Sequence, residues 1–115
     1  GQGMIEAAKE AGKWAIGVDR DQAYLAPDNV LTSALKLVSA GVEKLSRAYM
    51  NGEKIGGQNV SYGLADGAVG IPEEHPNYSD EIYNAAVDVG KQISAGTITP
   101  PSTEEEYNSY LAGLG

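Results

Sequence analysis

Apolar residues in this chain fall partly at helical spacing and partly in short unbroken runs. After Gly1-Gln2-Gly3, the positions Met4, Ile5, Ala8 and Ala11 predict a first helix, with Gly12 as its stop. Trp14 to Val18 is an apolar run that ends abruptly at Asp19, Arg20, Asp21 and Gln22. Such a run predicts a strand buried on both faces, as in parallel sheets. A loop from Asp19 to Asp28 follows, and Val30 to Ala34 predicts a second strand that gives way directly to a helix. Val38, Gly41, Val42, Leu45, Ala48 and Tyr49 form one stripe of that helix, which stops at Asn51-Gly52. The runs Val60 to Leu64 and Ala68 to Ile71, separated by Asp66-Gly67, predict a hairpin. Ser79 reads as the cap of a helix whose buried stripe is Ile82, Ala86, Val89 and Ile93. Thr97-Ile98-Thr99 is a short extended piece halted by Pro100-Pro101. Ser102 with Glu105 then fits a capping box for a last short helix carrying Tyr107, Tyr110 and Leu111.

Strand, loop, strand and helix in this order make an α/β chain, and in open α/β sheets ligands bind beyond the carboxyl ends of the strands. Asp19 is the first residue past the first strand and the leading candidate for a ligand contact. From spacing alone, a solvated acidic loop fits equally well. Lys36 falls where the second strand gives way to its helix, a place where a cation is mildly unfavourable against the helix dipole. That cost hints at another use. The glycine-rich entry to the first helix, Gly1 and Gly3, exposes backbone N–H groups and suits close approach of a ligand or anion.

Composition removes several kinds of chemistry. The 115 residues make one domain or a piece of one. The net charge is −8 with no basic run, which argues against a nucleic-acid partner. There is no cysteine, and His75 is the single histidine, so neither a thiolate metal site nor a His-based metal pair can form. No stretch approaches a membrane span. Asp19-x-Asp21 could open a calcium loop, but Val30 stands where that loop needs its last glutamate. It could also be the metal-binding pair of a sugar-nucleotide transferase, a reading nothing else supports. No nucleophilic triad, phosphate loop or cofactor motif is present, so recognition remains. A carboxylate such as Asp19 can accept both hydroxyls of a vicinal diol, and Lys36 can donate to a carbonyl or ring nitrogen. Thr32 and Ser33 add small polar groups at the end of the second strand.

Four blocks in order carry a family likeness: Gly1 to Lys9, Ala15 to Gln22, Val30 to Lys36, and Tyr62 to Gly70. Together they resemble the C-terminal part of the basic membrane protein family, substrate-binding lipoproteins of bacterial ABC transporters similar to the purine nucleoside receptor. The resemblance implies part of a type I periplasmic-binding fold, a parallel sheet flanked by helices with a C-terminal hairpin and helices, lacking its N-terminal portion. Residues 1–30 would supply the cleft strand and loop, 31–58 a hinge crossing and helix, and 59–115 the hairpin and C-terminal helices. It further implies a purine nucleoside in the cleft between two lobes, with Asp19 on the ribose hydroxyls and Lys36 reaching the ligand. Gly1 and Gly3 would line the cleft, and Asp21 is a further candidate ligand contact that could instead shape the loop. Arg20 occupies a position where a small residue is common in the family.

An ABC permease is the implied partner, the extracytoplasmic face of the membrane the implied location, and any lipid anchor would lie outside this chain. Exposed apolar surface and self-association or domain swapping are expected of the fragment. A free-standing interaction domain and an Asp-x-Asp metal enzyme stay as alternatives, and no cofactor is called for.

Overall fold

The computed structural model describes residues 1–113, so the last two residues of the 59–115 unit lie outside the described part. Helix α1 (Gln2–Glu10) turns Ile5 inward against Ala15, Ala26 and Val30, and these four form a small core. Strand β1 (Ala15–Asp19) runs parallel to β2 (Val30–Lys36), with Gly17 opposite Ser33 and Asp19 opposite Leu35. Side chains alternate across a strand. Ala15 and Gly17 are accordingly buried, while Ile16 and Val18 on the other face remain 53% and 55% exposed. The expectation of a strand buried on both faces is therefore corrected, because the core packs on one face only. Trp14 lies outside the strand, and β1 forms one edge of the three-stranded sheet β1-β2-β3.

The second strand is longer than its apolar run. Leu35 and Lys36 pair antiparallel with β3 (Val69–Gly70), and Leu37 N–H donates to the Ala68 carbonyl at 2.7 Å. These bonds keep the backbone extended through Lys36, and helix α2 (Val38–Met50) begins only after Leu37. Lys36 thus ends a strand, and the helix-dipole argument for it lapses.

The expected hairpin does not form. Residues 60–64 contain no strand, and Leu64–Asp66 wind into a 3₁₀ turn instead. The Asp66 carboxylate closes this turn by accepting the Gly63 N–H at 3.0 Å, and Lys44 Nζ reaches it from α2 at 3.0 Å. The Gly63 N–H first, and Lys44 second, hold the Asp66 carboxyl below the usual carboxylate range. Gly67 follows with φ 67°, a left-handed conformation that glycine adopts freely. Asp66-Gly67 does make a turn, but β3 leaves it to pair with β2 rather than with residues 60–64.

Helix α3 (Asp80–Ser94) starts at Ser79, whose hydroxyl accepts the Ile82 N–H, with Asp80 and Glu81 in the first turn. The segment before it is anchored by side chains. His75 stacks on Tyr83 at 4.3 Å between centroids and on Tyr78 at 5.1 Å, and its Nε2 meets Asp80 Oδ1 at 2.9 Å. Asn77 Nδ2 donates to the carbonyls of Pro27 at 2.7 Å and Val30 at 2.8 Å, linking this segment to the foot of β2. Asn77→Ala removes both bonds and should destabilise the fold by about 1–2 kcal/mol in urea unfolding. Asn77→Asp, equal in size, should lose at least as much, because a carboxylate cannot donate. An Asp variant as stable as the wild type would show that the clamp carries no weight. The last helix, α4 (Glu104–Ala112), is capped one residue later than expected. Thr103 and Glu106 form the capping box, and Ser102 adds two further donors to the Glu106 carboxylate.

The amphipathic stripes of α2 and α3 are not buried as their periodicity suggests. Val38, Val42 and Tyr49 stay exposed on α2, as do Ile82 and Val89 on α3. The reason is partnership: a helical stripe is buried only if a second surface is present to meet it, and here few elements lie opposite. The radius of gyration is 17.3 Å, against about 13 Å for a compact domain of this length. The accessible surface is 8577 Å², against about 6,000 Å² for a compact protein of this mass.

Candidate functional site

An open cavity of about 960 Å³ lies between one side of α3 and the sheet, lined by the last residues of β1 and β2 and by β3. Val18, Ala34 and Val69 line it from the sheet, and Ala86, Val89 and Ile93 line it from the helix. Its walls are mostly apolar, with Asp19 and Lys36 among the polar groups. Such a surface, with few polar groups to fix orientation, suits a small organic ligand.

The two leading candidates from the sequence are thus brought together. Lys36 Nζ lies 2.8 Å from Asp19 Oδ1, and both side chains are 64% exposed. The hydrogen bond to Asp19, reinforced by its charge, holds the Lys36 ammonium above the ordinary lysine range. An ion pair this exposed contributes little to stability. Its value lies in what it presents. A carboxylate has about four acceptor positions and an ammonium three donors, so the pair has capacity left for a ligand.

Asp19 is the last residue of β1 rather than the first beyond it, and it has φ 73°. Strand alternation would send its side chain toward the Gly17–Ser33 side, whereas Lys36 belongs to the opposite face. The left-handed backbone breaks that alternation and allows the carboxylate to meet Lys36. A non-glycine residue in this conformation is uncommon, and aspartate tolerates it better than most.

The other candidates fall into different positions. Asp21 Oδ1 accepts the Ala23 N–H and the Ser33 hydroxyl, each at 3.1 Å, so it shapes the loop. Gly1 caps α1 next to Gln22, whose Nε2 lies 3.6 Å from where a Gly1 Cβ would stand. Gly3 is inside α1, with no atom within 4 Å of a Cβ added there. Thr32 accepts the Tyr78 hydroxyl at 3.5 Å, and Arg20 is exposed. Ser33 is fully buried under the loop. Among the described residues, no three His, Cys, Asp or Glu side chains gather to hold a metal ion. Sequence reasoning missed the wall supplied by α3. Its signal was the stripe at Ala86, Val89 and Ile93, which reads as core when no cavity is in view.

A family described as ABC transporter substrate-binding protein PnrA-like (Bmp) matches residues 1–104. The chain belongs to this family. Basic membrane protein D of Borreliella burgdorferi strain JD1 is 39% identical, covering 96% of this chain and 34% of its own length. Basic membrane protein A of Borreliella burgdorferi strain B31 is 38% identical over the same shares of the two proteins. The chain therefore spans about a third of the curated relatives it matches. A crystal structure of a transcriptional activator of the comK gene from Bacillus halodurans superposes with a TM-score of 0.74 and 27% identity. It covers 87% of this chain, which in turn covers 35% of that one. An ABC transporter solute-binding protein from Aeropyrum pernix K1 gives a TM-score of 0.66 over 97% of this chain and 41% of its own. At 22% identity, that likeness concerns the fold.

Proposed function

We propose that this chain is the C-terminal portion of the solute-binding component of a bacterial ABC uptake transporter, and that its ligand is a purine nucleoside. The supporting observation is the Asp19–Lys36 pair lining an apolar cavity at the C-terminal ends of β1 and β2. Asp19 accepts the two ribose hydroxyls, Lys36 donates to an acceptor on the ligand, and the apolar walls cover the base. The reading is one of binding without catalysis. A second lobe completes the cleft, and an ABC permease at the extracytoplasmic face of the membrane receives the solute. Among the described residues, no helix is long and apolar enough to cross a membrane.

The transcriptional role in the name of the Bacillus halodurans protein is not carried over, because a net charge of −8 without a basic run suits no phosphate backbone. Calorimetry of the full-length protein carrying this sequence, with guanosine, adenosine and inosine against the free bases, tests the proposal. Nucleosides should bind tightly and bases weakly. Equal affinity for a nucleoside and its base would refute the ribose contact.

The isolated 115-residue chain is expected to self-associate or swap segments with a second copy. Its surface exceeds the compact value by about 2,600 Å², whereas one partner in a stable interface buries about 800 Å². The edge strand β1 and the exposed stripe of α2 are the surfaces available. Light scattering should report a mass above 12.0 kDa. A monodisperse monomer would contradict this expectation.

A further inference from the structure

We infer that Ser33, acting with Gln22 and Asp21, is a positioning residue that holds Asp19 in its left-handed conformation and so aims its carboxylate at Lys36 and the ligand. The inference rests on the reading of Asp19 as the ribose contact and adds the device that makes the contact possible.

The loop after β1 is bound back to the sheet by a short chain of hydrogen bonds. Gln22 N–H donates to Ser33 Oγ at 3.0 Å, and Ser33 Oγ donates to Asp21 Oδ1 at 3.1 Å. Gln22 Oε1 in turn accepts the Val18 N–H at 2.9 Å, immediately before Asp19. These bonds tie residues on both sides of Asp19 to one hydroxyl on β2. Asp19 alone among the described non-glycine residues has a positive φ, 73°. A residue in that region is strained and persists only where its surroundings over-determine it. The surroundings here are the network on Ser33.

Burial supports the same assignment. Ser33 is completely buried, and its hydroxyl is satisfied within the network. It therefore does not touch a ligand in the cavity, and a buried hydroxyl is retained where its bonds have a use. Gly17, opposite Ser33 in the ladder, leaves the space the network occupies. A Cβ at Gly17 would stand 2.4 Å from Ser33 Oγ and 2.9 Å from Gln22 Cβ.

The test uses the full-length protein carrying this sequence, as wild type, Ser33→Ala, Asp19→Ala and the double variant. Guanosine and guanine affinities are measured by calorimetry, and ligand-free crystal structures of wild type and Ser33→Ala are determined. Ser33→Ala should weaken guanosine about tenfold and leave guanine unchanged. In the Asp19→Ala background it should cause no further loss, because the group it positions is gone. In the crystal, Asp19 should leave the left-handed region and its contact with Lys36. Equal losses for guanosine and guanine, additive losses in the double variant, or an unmoved Asp19 would each overturn the inference.

Should the wild type not prefer guanosine to guanine, the ribose reading falls, and the paired crystal structures still decide whether Ser33 holds Asp19. Gln22→Leu, which removes the acceptor for Val18 N–H without touching the buried hydroxyl, should reproduce the guanosine loss. It keeps the question answerable if Ser33→Ala does not fold.

Discussion

Asp19→Ala in the full-length protein should weaken purine nucleosides by roughly 10- to 100-fold while leaving the free bases nearly unaffected. The size follows from a charge-assisted hydrogen bond, which contributes more than a neutral one because the acceptor carries a full charge. The selectivity follows from placement. Asp19 lines the cavity from the end of β1, and in the proposed reading the apolar walls of sheet and α3 offer contact to a base without reference to the sugar. The variant also leaves Lys36 without the partner it now meets at 2.8 Å. Lys36 is exposed enough to be solvated in that state, so little stability should be lost. A matching loss for nucleoside and base would mean that Asp19 does not read the ribose. An unfolded variant would mean that the exposed pair contributes far more to the fold than its exposure allows.

Gly17→Ala should destabilise the protein by about 1–3 kcal/mol, the range for overpacking a well-filled site. The added methyl has no free direction, because Ser33 Oγ would be 2.4 Å away and Gln22 Cβ 2.9 Å away. Ser33 is buried in the ladder and cannot swing aside as a surface side chain would. Combining Gly17→Ala with Ser33→Ala should therefore cost less than the sum of the two single changes, since the closest obstacle is removed. Urea unfolding of the four proteins measures this coupling. Strict additivity would show that the backbone yields there without disturbing the hydroxyl.

The ion pair, the network behind it and the glycine that makes room for it form one arrangement at the end of β1. Asp19 and Lys36 line the cavity, while Ser33 and Gly17 are buried and Asp21 and Gln22 tie the loop down over them. This division explains why Asp19 and Asp21, two residues apart and chemically alike, take different parts. Asp19 lines the cavity, paired with Lys36, and Asp21 is engaged with Ser33 and Ala23.

Much of this was legible in the chain alone. The runs Trp14 to Val18 and Val30 to Ala34 placed two strands, and helical spacing with Gly12, Asn51-Gly52 and Ser79 placed three helices close to their true bounds. These signals are local: the caps and the spacing act within one or two turns, so no distant partner is needed to read them. Four ordered blocks supplied the family, and the strand-end rule singled out Asp19. What escaped was everything that depends on a distant partner. The pairing of Leu35 and Lys36 with Val69 and Gly70 turned a presumed helix start into a strand end and replaced the hairpin. The left-handed turn at Asp19, which breaks strand alternation and brings its carboxylate to Lys36, leaves no mark in composition or period. Burial of the stripes on α2 and α3 depends on what stands opposite, and periodicity shows which face is apolar without showing whether anything covers it. The sequence by itself determined the elements, the family and the residues worth asking about. Only the tertiary structure decided which of them meet, because meeting is set by long-range pairing and backbone direction that no single segment encodes.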